Sequence, residues 1–231
     1  MANVRELLGR LNQQTIRYDI GRGGLPELTN QDIAAALAFV DPGLGRELLE
    51  ACWWPDGAAL RRRQLRDQVL ALVQPELRRQ WRLLEEARTD YGIAMACMGW
   101  GGAATAEQGR EVERARLRLE AVQAECWPRS TMESLPTLAL AVIREISHPS
   151  LCSECGGRGH RVAGELVTAC SACSGHGLAP MSDRKRAAAI GRDESTYRAK
   201  WRGVYQWLLL RMRDAESQAA AQLAAALSRG A

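Results

Sequence analysis

Two similar stretches, CSECGGRGH (152–160) and CSACSGHG (170–177), decide how this chain is interpreted. Each begins with two cysteines separated by two residues, a spacing that lets one tight turn direct both sulfur atoms at a single ion. Two such turns on the arms of a hairpin complete a tetrahedral shell of four thiolates, which is the arrangement that zinc prefers in structural sites. The sequence therefore predicts one bound Zn²⁺, and its four ligands are Cys152, Cys155, Cys170 and Cys173.

Glycines follow both cysteine pairs at matching positions, namely Gly157 and Gly159, and Gly175 and Gly177. Glycine permits the positive φ of such a turn and exposes backbone N–H groups to the sulfur atoms. Because thiolates fill all four positions, no coordination site is left for water or substrate, so the predicted zinc is structural. His160 and His176 are alternative ligands by their position in the sequence, although surface positions are favoured for both.

The fold class predicted from the sequence is all-α, a helical bundle with the four-cysteine zinc-binding β-hairpin embedded at 151–178. Arg161-Val162 and Leu166–Thr168 have the composition of two short strands, with a turn at Gly164-Glu165. Elsewhere the patterns are helical. Thr29 to Asp32 has the pattern of a capping box, and Ser134 is the predicted N-cap of a helix that ends at Ser147.

The stretch SDRKRAAAIGRDESTYRAKWRGVYQWLLLRMR (182–213) has the pattern of a helix-turn-helix. Ser182 and Asp193 are the predicted N-caps of its two helices, and Gly191 is the residue expected to adopt a left-handed conformation between them. One face of the second helix is apolar at spacings of three and four. That face consists of Tyr197, Trp201, Val204, Leu208 and Met212.

The basic residues of this stretch point to a DNA contact. From 183 to 213 there are nine basic and three acidic residues, a local charge of +6, and the rest of the chain has 22 basic and 24 acidic residues, or −2. A basic patch confined to a helix-turn-helix is typical of a surface that contacts phosphates and base edges. The predicted DNA-binding residues are Arg184, Lys185, Arg186, Arg192, Ser195, Thr196, Arg198 and Arg202. The alternative is a helical hairpin with a solvated arginine face.

The composition excludes several classes of protein. The chain has 231 residues, 46% of them hydrophobic and 25% charged, which is an ordinary globular balance. The first twenty residues lack a secretory signal, and the longest apolar run, 33–40, is too short to cross a membrane. We expect a cytoplasmic protein in which the remaining cysteines, Cys52, Cys97 and Cys126, are buried thiols. No catalytic dyad or phosphate-binding glycine loop is visible in the sequence, so we expect no enzyme.

Changes in composition divide the chain into three segments. Residues 1–130 form a helical region in which Pro75 is expected to kink or split a long helix, and 131–214 hold the cysteine module and the predicted helix-turn-helix. Residues 215–231 are an alanine-rich tail that is expected to fray.

The combination of motifs over 135–213 resembles the antitermination protein Q family of lambdoid phages. The resemblance is carried by HPSLCSECGGRGH (148–160), TACSACSGHGLAPMS (168–182) and the basic helix that contains Tyr197 and Arg198. In that family two such cysteine pairs bind one zinc, with a helix-turn-helix-like segment nearby. The similarity covers about a third of the chain and does not extend into residues 1–130.

The resemblance implies a factor for phage late-gene transcription antitermination. Such proteins bind double-stranded DNA at the late promoter, engage bacterial RNA polymerase with its sigma factor, and promote readthrough of pauses and terminators. A protein of this kind works in the cytoplasm of the bacterial host cell, without a membrane or a small-molecule substrate.

Two other interpretations stay open at this stage. One is a zinc-containing helix-turn-helix transcription regulator whose N-terminal helices dimerise. The other is a chaperone-like module, because the cysteine–glycine repeats are also similar to the zinc region of DnaJ-type cochaperones. Those proteins carry four repeats and a His-Pro-Asp motif, whereas this chain has two repeats, and Ser150 follows His148-Pro149.

Overall fold

Helices account for most of the chain in the computed structural model. It describes residues 3–9, 11–12, 28–59, 62–98, 102–148, 152, 154–155, 158–163, 166–173, 175, 177–179 and 181–230. The helices are α1 (Val4–Gly9), α2 (Asn30–Leu37), α3 (Leu44–Trp53), α4 (Pro55–Ala58), α5 (Arg62–Cys97), α6 (Ala106–Glu125), α7 (Thr131–Ser147), α8 (Asp183–Ala189), α9 (Glu194–Thr196) and α10 (Arg202–Gly230), with a π-helical turn at Tyr197–Trp201. Two strands, β1 (His160–Ala163) and β2 (Leu166–Ala169), pair antiparallel. The predicted mostly helical class is confirmed.

The chain forms two compact units, one of residues 1–69 with 134–231 and the other of residues 70–133. The core of the first unit lies where α10 packs against α1, α2 and α3. Its buried side chains include Leu8, Ile33, Leu37, Leu49, Ala219, Leu223 and Leu227. The alanine-rich segment after 214 is therefore no frayed tail, because it continues α10 and supplies part of this core.

A buried carboxylate joins three of these helices. Glu216 on α10 is almost fully buried, and its two oxygens accept hydrogen bonds from Arg5 Nε and Nη2, both at 2.9 Å. The Trp53 indole N–H donates to the same carboxylate at 2.8 Å. Because a buried charge is costly unless it is paired, this arrangement ties α1, α3 and α10 to one geometry.

The unit of residues 70–133 is built from most of α5 and all of α6. Buried residues recur every seven positions along α5, at Val73, Gln80, Ala87 and Ala94, as in a coiled coil. Along α6 the partly buried residues alternate in spacings of four and three, and they are Gln108, Val112, Ala115, Leu119 and Val122. Pro75 does not split α5, and its neighbours Val73 and Leu77 are both buried.

Two predicted helix starts have different outcomes. The capping box at Thr29 and Asp32 is confirmed, because each residue accepts the backbone N–H of the other. The prediction that Ser134 caps the next helix is wrong, since α7 begins at Thr131. Thr131 is fully buried and its hydroxyl donates to the Pro128 carbonyl at 2.6 Å, which fixes the start one turn earlier.

Gly45 marks the closest approach between α3 and α10. A Cβ atom at this position would lie 2.4 Å from the Ala215 carbonyl oxygen and 3.2 Å from the Ala219 Cβ. Since backbone atoms cannot move aside as a flexible side chain does, only glycine fits here without separating the two helices.

Gly45→Ala is expected to lower the free energy of unfolding by about 1–3 kcal/mol, because the added methyl group overpacks the crossing. Gly203→Ala is the control, since Gly203 lies within α10 and a Cβ there meets no atom within 4 Å. That variant should be stabilised by up to about 1 kcal/mol through helix propensity. Urea unfolding followed by circular dichroism measures both, and equal stabilities of the two variants would contradict the close crossing.

Candidate metal centre and basic surface

The four cysteines of the two repeats come together in one buried cluster. Their Sγ atoms all lie within 4.8 Å of one another. Cys152 and Cys170 are separated by 4.0 Å between sulfurs, and Cys155 and Cys173 by 3.8 Å. These separations are far longer than a disulfide bond of about 2.05 Å. Four sulfurs at about 2.3 Å from a central ion lie about 3.8 Å apart in a regular tetrahedron, so the cluster fits one tetrahedral metal ion.

The two cysteine turns are built alike. The backbone N–H of Gly159 donates to Cys155 Sγ at 3.3 Å, and that of Gly177 donates to Cys173 Sγ at 3.2 Å. The turns also hold each other, because Cys170 N–H donates to the Gly159 carbonyl and Cys152 N–H to the Gly177 carbonyl, both at 2.9 Å. Each of these four hydrogen bonds thus has its counterpart eighteen residues away in the other turn.

Glycine is required in these turns by backbone conformation and by space. Gly159, Gly175 and Gly177 have φ values of +76°, +83° and +74°, as the sequence predicts. A Cβ on Gly159 would also lie 2.4 Å from the Gly175 carbonyl oxygen, because the two turns touch there. Gly157 and His176 lie outside the described residues, and His160 is exposed on β1, away from the sulfur cluster.

The surroundings of the thiols differ in their effect on ionisation. Burial opposes ionisation of Cys170, but hydrogen bonds from the backbone N–H groups of Cys173 and Ala172 outweigh it and lower its pKa to about 7. Burial raises the pKa of the Cys173 thiol to about 11. Cys170 is therefore the first of the four thiols to ionise. A cation bound among the sulfurs would favour ionisation of the other three as well.

The remaining cysteines do not share one environment. Cys52 is buried in α3, as predicted, and burial raises its pKa to about 12. Cys97 is exposed at the end of α5 and Cys126 is partly exposed after α6. The prediction of three buried thiols is thus wrong for Cys97, because the last turn of a helix need not face the core.

The helix ends predicted at 182–196 are confirmed. The Ser182 hydroxyl accepts the Lys185 N–H, and the Asp193 carboxylate accepts the Thr196 N–H at 2.8 Å. Gly191 has φ +67° between them. Hydrogen bonds from the Ser195 hydroxyl and the Thr196 N–H hold the pKa of Asp193 well below its usual range, so the cap stays charged.

The second helical element of this segment buries the predicted apolar face. It runs through α9, the π-helical turn and into α10. The side chains of Tyr197, Trp201, Val204, Leu208 and Met212 are all almost fully buried. With this face turned inwards, the opposite face of the same element is left at the surface.

Most of the predicted DNA-binding residues lie on the exposed side. The exposed ones are Arg184, Lys185, Arg192, Ser195, Arg198 and Arg202, and Thr196 is partly buried. Arg198 and Arg202 both approach Asp183 Oδ2, at 3.5 and 3.6 Å, and Arg198 also pairs with Glu194 at 2.5 Å. The Arg192 guanidinium lies 5.2 Å from the centre of the Trp201 ring. The structure thus brings together the cations near the start of the second element.

Arg186 does not lie on the exposed side with the other predicted DNA-binding residues. It is buried, and its Nε and Nη2 donate to the two oxygens of Glu145 on α7 at 3.0 and 2.6 Å. The Tyr205 hydroxyl donates to the same carboxylate at 3.0 Å, and the guanidinium lies over the Tyr205 ring at 5.4 Å. Because its donors are occupied inside the core, Arg186 does not belong to the exposed basic surface that the sequence predicts for it.

Sequence reasoning missed the acidic partners of these arginines. Glu145 is one of two charged residues in an otherwise apolar stretch, LALAVIREIS (138–147), which is the signal that could have indicated a buried acid. Asp183 and Glu194 stand in the first turns of their helices, where acids are common as partners of the helix dipole. The spacing of four residues between Glu194 and Arg198 is a local signal for their ion pair, whereas nothing in the local pattern shows that Asp183 also contacts Arg198.

Comparisons of this chain with protein-family models, with curated proteins and with solved structures give no match. Within the described residues, no helix combines the length and the apolar character needed to cross a membrane.

Arg186→Ala is expected to lower the free energy of unfolding by about 3–5 kcal/mol, because it leaves the Glu145 carboxylate buried without its cation. Arg184→Ala, two residues away and exposed, is the matched control and should change stability by no more than about 0.5 kcal/mol. Thermal or urea unfolding of the two variants measures the difference. If both variants were equally stable, the buried role of Arg186 would be contradicted.

Proposed function

We propose that Cys152, Cys155, Cys170 and Cys173 hold one structural Zn²⁺. The support is the set of sulfur separations of 3.8 and 4.0 Å together with the donor type, since four thiolates select a soft or borderline ion. With four protein ligands the ion has no open position, so it stabilises the fold of the segment and takes part in no reaction. We propose no catalytic activity for this protein.

We further propose that residues 183–213 act as a helix-turn-helix that binds double-stranded DNA. The observation that carries this proposal is the exposed row formed by Arg192, Arg198 and Arg202 beside Ser195, on an element whose other face is buried. The ion pairs of Arg198 and Arg202 do not prevent these arginines from contacting DNA. The arginines of these pairs are exposed, although Asp183 is largely covered, and ion pairs at the surface contribute about 0–1 kcal/mol, so phosphate oxygens can replace the carboxylates.

The biological role that we propose is antitermination of phage late-gene transcription. It is supported by the occurrence, in one stretch of chain, of a paired-cysteine cluster and a basic helical segment, the combination that carries the resemblance to the Q family. The protein would bind promoter-proximal DNA and bacterial RNA polymerase with its sigma factor, in the cytoplasm of the host cell.

Replacement of Arg198 and Arg202 by alanine is expected to weaken binding to a random-sequence DNA duplex by about tenfold or more at low salt. The slope of log K against log salt should become shallower by about 2, because two phosphate contacts are lost. Fluorescence anisotropy of a labelled duplex measures both quantities. Arg110→Ala with Arg114→Ala removes the same charge from α6 and is the control. Equal effects of the two double variants would contradict the proposed DNA face.

The antitermination proposal is tested by transcription in vitro from a lambdoid-type late promoter through an intrinsic terminator, with purified bacterial polymerase and sigma factor. We expect more readthrough with the protein than without it, and a loss of this increase in the Arg198→Ala/Arg202→Ala variant. DNA binding that only represses the promoter, with unchanged readthrough, would favour the alternative of a helix-turn-helix regulator.

A further inference from the structure

A cleft of about 420 Å³ lies in the unit of residues 70–133. It is lined by Trp81 and Leu84 of α5 and by Cys126 and Trp127, which follow α6. Arg88 and Arg129 also line the cleft. Its volume suits one or two apolar side chains, and its walls contain the residue types, Trp and Arg, that dominate binding at protein interfaces.

The walls of the cleft are fixed in position by hydrogen bonds. The Gln80 side-chain oxygen accepts a hydrogen bond from the backbone N–H of Trp127 at 2.9 Å, and the Gln80 backbone carbonyl accepts one from the Cys126 thiol at 3.7 Å. Gln80 is itself held by Glu76, which accepts its amide N–H at 2.9 Å. The turn beyond is closed by the buried Thr131, which donates to the Pro128 carbonyl. Because the cleft is preformed, a ligand would not have to order it on binding.

One of the aromatic residues that line the cleft, Trp81, is in contact with solvent. Trp81 is 43% exposed, whereas Trp127, which also lines the cleft, is 8% exposed. Burial raises the pKa of the Cys126 thiol, so this residue contributes a neutral, apolar surface to the lining of the cleft. An exposed tryptophan at the mouth of a fixed apolar cleft is typical of a surface that another molecule covers.

The charges at the cleft favour a ligand that carries a carboxylate. Glu85 and Arg88 pair with each other at 2.6 Å and so offset one another. Arg129 is exposed and makes no ion pair with any residue in the part of the chain that the structure describes. The cleft therefore presents one cation beside an apolar cavity.

The unit as a whole does not have the charge of a nucleic-acid surface. Residues 70–133 include nine basic and ten acidic residues, a net charge of −1. Several of its arginines are paired on their own helix, such as Arg79 with Glu76 at 2.6 Å and Arg116 with Glu113 at 2.9 Å. A backbone of phosphates would find few free cations here, whereas a peptide needs one apolar anchor and one acid.

We propose that this cleft is a docking site for a protein segment in which one or two apolar side chains stand next to an aspartate or glutamate. The apolar side chains fill the space between Trp81 and Trp127, and the carboxylate pairs with Arg129. The site does not depend on the proposed zinc or DNA binding, and it gives the unit of residues 70–133 a role of its own in recognising a partner protein.

The test is selection of peptides from a phage-displayed library of random dodecapeptides on the full-length protein. We expect enriched peptides that share an aromatic or aliphatic residue beside Asp or Glu. A labelled enriched peptide should bind Trp81→Ala and Arg129→Glu about tenfold or more weakly than the parent protein, as measured by fluorescence anisotropy. Leu117→Ala and Arg110→Glu change an exposed apolar residue and an exposed cation on α6, and they should leave binding unchanged.

Three results would overturn this proposal. The first is a selection that yields no shared motif, or a basic one. The second is a selected peptide that binds all four variants as tightly as the parent protein. The third is binding of a labelled oligouridine that is lost in Trp81→Ala, because the cleft would then be a stacking site for nucleic acid.

Discussion

The four sulfur atoms at Cys152, Cys155, Cys170 and Cys173 are the constraint on which the middle of this protein depends. They form a buried cluster of their own, and within the described part of the chain no leucine, isoleucine or aromatic side chain belongs to it. A segment with two four-residue strands is too small to bury an apolar core, and such segments commonly depend on a metal or on disulfides. The sulfurs are too far apart for disulfides. The two turns are linked by the hydrogen bonds that the Cys170 and Cys152 N–H groups donate to the Gly159 and Gly177 carbonyls, and the proposed ion would be the second link.

The rest of the larger unit is organised by two buried carboxylates with the same type of partner. Glu145 accepts bidentate hydrogen bonds from an arginine and a third hydrogen bond from a tyrosine hydroxyl. Glu216 accepts bidentate hydrogen bonds from an arginine and a third from an indole N–H. Both networks include α10, through Tyr205 and Glu216. The pairing of Glu145 with Arg186 also holds the end of α7 next to α8. The segment between these two helices, which contains the cysteine module, therefore begins and ends close to the same point. Burial and the Glu145 carboxylate raise the pKa of Tyr205, which therefore keeps the proton that it donates.

The features that the sequence predicts well are those set by neighbours in the chain. The glycines of positive φ and the caps at Thr29, Ser182 and Asp193 depend on residues a few positions apart, and the clustering of the four cysteines follows from two pairs with the same short spacing. The features that it does not predict depend on distant residues. Arg184, Lys185 and Arg186 are three consecutive cations, and only the position of Glu145 on another helix decides that Arg186 is the buried one. In the same way, Trp81 and Trp127 form one cleft only because Gln80 fixes the segment after α6. Local patterns also do not show that α3 and α10 touch at Gly45.

The central claim, that four thiolates and one zinc ion form the core of the cysteine module, is tested most directly by the metal content of the purified protein. Elemental analysis combined with native mass spectrometry should find one zinc per chain in the parent protein and none in Cys155→Ser, because three thiolates bind the ion far more weakly. Cys52→Ser is the control, since Cys52 lies in a different buried environment, and it should keep its zinc. A parent protein without metal, or a Cys155→Ser variant that binds zinc as tightly as the parent, would contradict the account.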